Sequence, residues 1–271
     1  MNDAASAIEE WNAAEQFLFS QCIAICDSIE LPEEFRNYVL SSKGFSKYIY
    51  PLSAWVCKPE IRFSTGCAFA LHCYGIKLLD DIIDQDQPFT DADLVSAGTA
   101  FCNQALSDLG KVGALSIAME LYPVYWPQIW RHTRKEPTTV INTLDHWAQS
   151  ARIKCGRILA YYGEIACVMS GLTQEAAHVK SGLEAMGIVY TVLDDIRDAH
   201  NPREQHSNIK VLIDRGAVDR GAAAAMVDAA AAEFESCIEA APPAFPVFYG
   251  FRKDIEKVRR ALADPELTLT A

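Results

Sequence analysis

The twelve prolines of this 271-residue chain fall at the edges of long stretches that contain none, among them residues 60–87, 89–122, 138–201 and 203–241. Proline lacks a backbone donor and clashes with the preceding turn, so helix interiors exclude it and helix edges collect it. Inside these stretches Ala, Leu, Ile, Glu and Lys recur at helical intervals, and the alternating Val/Thr/Tyr runs that make strands are missing. The spacing predicts an all-α fold. Pro32 opens a short helix that Ser41, Ser42 and Gly44 close, and Pro59 precedes a long segment ending near Pro88. Thr90 with Asp93 forms a capping pair for the next helix. Residues 122–138, with three prolines and the basic cluster Arg131, Arg134 and Lys135, read as the main irregular connection. Gly171 to Gln174 divides two further helices, Asn201-Pro202 ends the second, and the alanine-rich tract 222–232 is an excellent helix former. No repeat or boundary is visible, so residues 1–271 read as one domain.

Composition narrows the function. Lys and Arg number 24 against 36 Asp and Glu, a net charge of −12 that argues against a nucleic-acid binder. Half the residues are hydrophobic, enough for a sizeable core. Every long apolar stretch is interrupted by a charged or strongly polar residue, and the opening MNDAASAIEEWN carries acids where a signal peptide carries bases. A cytoplasmic protein without transmembrane segments is expected. The nine cysteines are scattered without any C-x-x-C pair, which suits small core hydrophobes in a reducing compartment better than a disulfide framework or zinc site.

Two segments share one pattern: Leu78-Leu79-Asp80-Asp81-Ile82-Ile83-Asp84 and Val192-Leu193-Asp194-Asp195-Ile196-Arg197-Asp198. With 18 aspartates in 271 residues, chance supplies one D-D-x-x-D only about 0.08 times, so the doubling is the signal. On a helix, Asp80 and Asp84 project together with Asp81 at their flank, and like charges so close repel. A solvated acidic helix end accounts for either motif alone but poorly for the pair. Both sit on strongly apolar helices, where clustered carboxylates call for cations, and hard oxygen ligands select Mg²⁺. Mg²⁺ held by few carboxylates keeps positions open for phosphate oxygens, so the implied ligand is a diphosphate.

The sequence resembles the trans-isoprenyl diphosphate synthase superfamily, class I prenyltransferases with two facing aspartate-rich motifs. Lys154-Cys155-Gly156 matches the K-T-G element between the motifs, and the run from Gly187 to Asp195 matches the glycine-led approach to the second. The resemblance implies a single-domain antiparallel helix bundle around a central apolar cavity, and a homodimer. It further implies that Asp80, Asp81, Asp84 and Asp194, and more weakly Asp195 and Asp198, hold Mg²⁺ that binds an allylic isoprenyl diphosphate. Lys154 is the candidate for stabilising the departing diphosphate. Tyr190 and Thr191, just before Asp194, are candidate substrate contacts. One, two and three turns before Asp80 come Ile76, Cys73 and Phe69, expected to line a dry cavity for the carbocation; plain core packing explains Phe69 as well. In the family, bulk at the fourth and fifth positions before the first motif limits chain length, and here these are Ile76 and Gly75.

Departures from the family matter. No basic residue follows Asp84 until Lys111, where synthases carry an arginine pair. The G-G-K-x-x-R-P element is eroded to the run Lys43 to Pro51, with Tyr50 in place of the arginine, so the pocket for isopentenyl diphosphate reads as dismantled. The segments Lys77 to Asp84, Asn208 to Ala217 and Ala240 to Tyr249 resemble the prenyltransferase of moenomycin-type phosphoglycolipid antibiotic biosynthesis. Four readings compete: a prenyltransferase using a non-diphosphate, lipid-linked alkene acceptor, a chain-elongating polyprenyl diphosphate synthase, a class I terpene cyclase, and a non-catalytic partner subunit. The first accounts for both the retained aspartates and the lost arginines. Trp126 and Trp130, beside Arg131 and Arg134, could seat such an acceptor at a membrane surface, or be buried aromatics of a helix connection.

Overall fold

The computed structural model describes residues 2–41, 48–84, 88–135, 138–200, 205–244 and 248–264, without the side chains of residues 2–7, Asp84 and Tyr249. Within them the chain is helical and forms no strand. The helices are α1 (Asn2–Ser28), α2 (Glu33–Ser41), α3 (Pro59–Asp84), α4 (Asp91–Lys111), α5 (Leu115–Lys135), α6 (Leu144–Ala151), α7 (Arg157–Met169), α8 (Ala176–Asp198), α9 (Ile209–Asp214), α10 (Arg220–Ala240) and α11 (Tyr249–Ala263). A 3₁₀ turn spans Tyr50–Ser53, and a π-helical turn, Arg152–Gly156, joins α6 to α7. No helix among the described residues is long and apolar enough to cross a membrane.

The chain packs as two compact units, one of Met1–Met119 with Pro243–Phe248, the other of Glu120–Pro242 with Tyr249–Ala271. In the first, α3 is central. Cys67 through Leu71, Cys73, Tyr74 and Leu78 are all buried, a helix apolar nearly all round and so covered on most sides. Glycines let α4 approach closely: a Cβ on Gly75 would stand 2.6 Å from the Gly98 carbonyl oxygen and from Cys102 Sγ. Gly75 therefore faces α4. The expected cap on α4 is present, with Thr90 Oγ1 accepting from the Asp93 backbone N–H at 3.2 Å.

In the second unit α8 has the central place, with Val179, Leu183, Met186, Val189, Val192 and Leu193 buried against α7, α10 and the π-helical turn. The alanine tract lies within α10, whose Asp219 cap accepts from the Ala222 N–H at 2.8 Å. One expectation fails outright. Residues 122–135 are not an irregular connection, because α5 runs through Pro123 and Pro127. Interior prolines cost about 3 kcal/mol each, but both lie exposed while Tyr125, Trp126, Ile129 and Thr133 are buried on the opposite stripe. Burial of two large aromatics and an isoleucine offsets that cost. Six of the nine cysteines are buried and all are free.

Candidate functional site

The first motif ends α3. Its three aspartates occupy the last turn with no basic residue there, where the helix dipole already carries partial negative charge. The arrangement therefore stores unfavourable electrostatics that only a cation relieves. One is built in: Lys77 Nζ lies 2.5 Å from Asp81 Oδ1, an i,i+4 pair. Asp81 is 1% exposed, and its Oδ2 accepts from the Tyr38 hydroxyl at 2.7 Å. The Tyr38 ring packs on Phe89 at 5.3 Å, and Phe35 lies 4.9 Å from Phe89, so α2 holds the chain just beyond the motif. Asp80 is half-buried. The Asp84 side chain lies outside the described residues, as do Ser42 to Lys47, residues 85–87 and Asn201-Pro202.

The second motif ends α8, and its aspartates diverge. Asp194 is exposed and paired with Arg197 at 3.0 Å. Asp198 is half-buried. Asp195 is buried; its Oδ2 accepts from Trp147 Nε1 at 2.9 Å and from the Ile209 backbone N–H at 2.5 Å. Before the motif, Tyr190 is buried edge-on to Phe251 at 5.5 Å. The Thr191 hydroxyl donates to the Gly187 carbonyl at 2.8 Å, a bond within its own helix.

Lys154 stands half-buried on the π-helical turn, an element that recurs at functional sites. Burial, reinforced by the negative charge of Asp194 and opposed by Lys154, pushes the Cys155 thiol up to about 12. The thiol is therefore neutral and inert, and both Lys154 and Asp194 lie within electrostatic reach of it. The turn is held against α8 by two glycines. A Cβ on Gly156 would come 2.3 Å from the Glu184 carbonyl oxygen, and one on Gly187 would come 2.3 Å from the Gly156 nitrogen.

Of the expected cavity lining, Phe69 and Cys73 are buried in the first unit and Ile76 is half-buried. Trp126 is fully buried, 5.5 Å from Tyr161 and nearly perpendicular to it, in keeping with the buried-aromatic alternative and not with a membrane-facing anchor. Trp130 is half-buried beside it, 5.8 Å away. Tyr50, at the eroded arginine position, is also buried. Its hydroxyl donates to Glu10 Oε1 at 2.7 Å, and Arg62 grips both oxygens of that carboxylate at 2.9 and 2.7 Å. Among the described residues, no group of three or more His, Cys, Asp or Glu side chains stands ready to hold a metal ion.

Tyr38, Lys77, Trp147 and Asn208 were absent from the expected site residues. The Lys77–Asp81 spacing and the position of Asn208 before an apolar turn are readable signals; the Tyr38 and Trp147 partnerships join residues 43 and 48 apart and have none.

No protein-family model and no curated protein matches the sequence. Solved structures do. A geranyltranstransferase from Methanosarcina mazei superposes with a TM-score of 0.66 at 13% identity, covering 92% of this chain and 98% of that one. The fold is that of the isoprenyl diphosphate synthases. A geranylgeranyl pyrophosphate synthase from Lactobacillus brevis gives 0.64 at 15% identity, with 96% and 97% covered. A decaprenyl diphosphate synthase from Rhodobacter capsulatus gives 0.62 at 14% identity, with 94% and 97% covered.

Proposed function

We propose that residues 1–271 form one Mg²⁺-dependent class I prenyltransferase domain that ionises an allylic isoprenyl diphosphate and passes the prenyl group to a non-diphosphate, lipid-linked alkene acceptor. One observation carries the reading: D-D-x-x-D occurs twice, each time at the C-terminal end of a core helix, in a chain with the isoprenyl diphosphate synthase fold. The donor chemistry suits Mg²⁺, since each motif offers carboxylate oxygens alone. The candidate ligands are Asp80 and Asp84 in the first motif and Asp194 and Asp198 in the second, and when bound the metal supplies positive charge for the diphosphate oxygens.

The chain's own groups account for the rest. Lys154 donates to a diphosphate oxygen, stabilising negative charge as the allylic C–O bond breaks; such a donor is worth about 10²–10³-fold in rate. Ile76, with Cys73 and Phe69 behind it, keeps water from the allylic cation. Tyr190 and Thr191 shape the approach to Asp194. The acceptor's double bond attacks the cation, and the resulting cation loses a proton to the departed diphosphate.

The acceptor assignment rests on what is missing. A second diphosphate needs dedicated cations, yet no basic residue lies between Asp84 and Lys111, and Tyr50 is committed to Glu10. The solved relatives favour the runner-up, a chain-elongating synthase, because their names describe geranylgeranyl and decaprenyl diphosphate synthases. The deciding experiment incubates the protein with allylic diphosphates of several lengths, with and without isopentenyl diphosphate, and reads products by mass spectrometry. Diphosphate release without consumption of isopentenyl diphosphate is expected. Its steady consumption at about one per second, an ordinary enzymatic rate, would restore the elongating synthase, and a cyclic hydrocarbon from one substrate would make the protein a cyclase.

A further inference from the structure

We infer that Asp195 is a positioning residue rather than a metal ligand: it clamps α6 and the start of α9 onto the end of α8 and thereby fixes which way Asp194 and Asp198 point. The inference deepens the prenyltransferase reading and rests on it for the role of those two aspartates. Trp147, Ile209 and Asn208 all bond to this residue. Its Oδ2 takes both the Trp147 indole N–H, from α6, and the Ile209 N–H, at the first turn of α9, while its backbone carbonyl accepts from Asn208 Nδ2 at 2.7 Å. Asn208 is the cap of α9, accepting from the Val211 N–H at 3.3 Å, so the cap and the aspartate lock each other. A further bond ties the same two segments, from the Ile141 N–H to the His206 carbonyl at 3.0 Å.

Helix geometry turns the clamp into a pointing device. Successive residues are about 100° apart, so Asp194 stands about 100° from Asp195, with Asp198 between them, about 40° from Asp194 and about 60° from Asp195. With Asp195 pinned inward, Asp194 is held outward, and its side chain is 65% exposed. The first motif repeats the division: Asp81 is turned in to Tyr38 and Lys77, while Asp80 stays partly open.

Both hydrogen bonds from Trp147 and Ile209 fall on a single oxygen, which makes the test sharp. Asp195→Asn can present its amide oxygen there and keep both bonds while losing the charge a metal needs. Asp195→Ala strands a buried indole N–H and a helix-terminal N–H. The four readouts are melting temperature, the indole N–H resonances of the five tryptophans, calorimetric binding of Mg²⁺ with inorganic pyrophosphate, and diphosphate release. Asp195→Asn should stay within about threefold of wild type in activity, with an unchanged Mg²⁺ midpoint, and keep the Trp147 resonance. Asp195→Ala should melt about 5 °C lower or more, shift that resonance and lose tenfold or more in rate. Trp147→Phe should move melting and rate in the same direction. A raised Mg²⁺ requirement in Asp195→Asn, as large as in Asp194→Asn, would overturn the inference in favour of a ligand. So would a Trp147→Phe variant indistinguishable from wild type. If the wild type neither binds pyrophosphate nor turns over any allylic diphosphate, the prenyltransferase reading fails, and so does the pointing role; the clamp as architecture is then judged on melting and indole spectra alone.

Discussion

Gly156→Ala tests how the chain positions its candidate lysine. The new methyl carbon would stand 2.3 Å from the Glu184 carbonyl oxygen, 2.7 Å from its Cα and 2.8 Å from its carbonyl carbon. All three are backbone atoms of α8, so no side chain can swing away, and the π-helical turn and α8 must part by about 1 Å to reach ordinary contact. Overpacking of this kind costs about 1–3 kcal/mol, which in a chain of this size lowers the melting temperature by roughly 2–12 °C. Lys154 lies two residues away on the displaced turn, and a 1 Å misplacement of a reacting group can cost about 10²-fold in rate. Gly110→Ala is the control. That glycine is exposed near the end of α4, with nothing nearer its Cβ than Leu115 Cδ2 at 3.7 Å. It should gain about 0.5–1 kcal/mol from helix propensity. Far-UV circular dichroism melts and diphosphate release read both variants. A Gly156→Ala protein that melts as high as Gly110→Ala and releases diphosphate at the wild-type rate would refute the close approach and its role.

Asp80→Ala and Asp194→Ala should abolish diphosphate release while leaving the melting temperature unchanged or slightly raised, since each removes a like charge from a helix C-terminus; full activity in both defeats the metal assignment. Ile76→Phe should shorten the accepted prenyl chain, read by product mass, because the ring stands about one turn before Asp80; an unchanged length preference in a folded variant means that this face is core. Glu10→Gln should cost about 2 kcal/mol at neutral pH by stranding the buried Arg62. Burial pushes the Glu10 carboxyl up, but bonds from Arg62 and Tyr50 reverse this and leave it below its usual 4.5. The carboxylate's contribution is thus complete above about pH 4.5 and fades as pH falls through the lowered value. Melts of wild type and Glu10→Gln should therefore converge under acid, and a gap that persists there would contradict the linkage.

The proline pattern carried the fold because it acts locally: Pro59 starts α3, and the proline-free stretches hold α3, α4, α7, α8 and α10. It misread α5 because local chemistry was overridden by burial. Pro123 and Pro127 are four apart on the exposed face, and the stripe Tyr125, Trp126, Ile129 and Thr133 on the other side is a helical period that the prolines masked. The aspartates were legible as a motif, but their division of labour was not. Nothing in D-D-x-x-D says that Asp195 meets Trp147 or that Asp81 meets Tyr38, since those pairings depend on how distant helices pack. The π-helical turn carrying Lys154 had no sequence signal beyond the resemblance of Lys154-Cys155-Gly156.

The two motifs become intelligible as charge placed against the grain of the helix. Acids normally stabilise a helix at its start and destabilise it at its end. Here α3 and α8 each end in three aspartates, and each helix pairs one of them with a cation of its own, Lys77 on Asp81 and Arg197 on Asp194. Lys77 is four residues before its partner in a buried setting, so it neutralises Asp81 permanently. The Arg197 pair is different: both members are more than half exposed, and such a pair is worth at most about 1 kcal/mol. Asp194 can therefore exchange its arginine for a stronger cation at little cost. Carboxylates clustered at a helix C-terminus raise its free energy, and a cation that binds among them lowers it. That is the arrangement expected of a site whose positive charge arrives with its substrate.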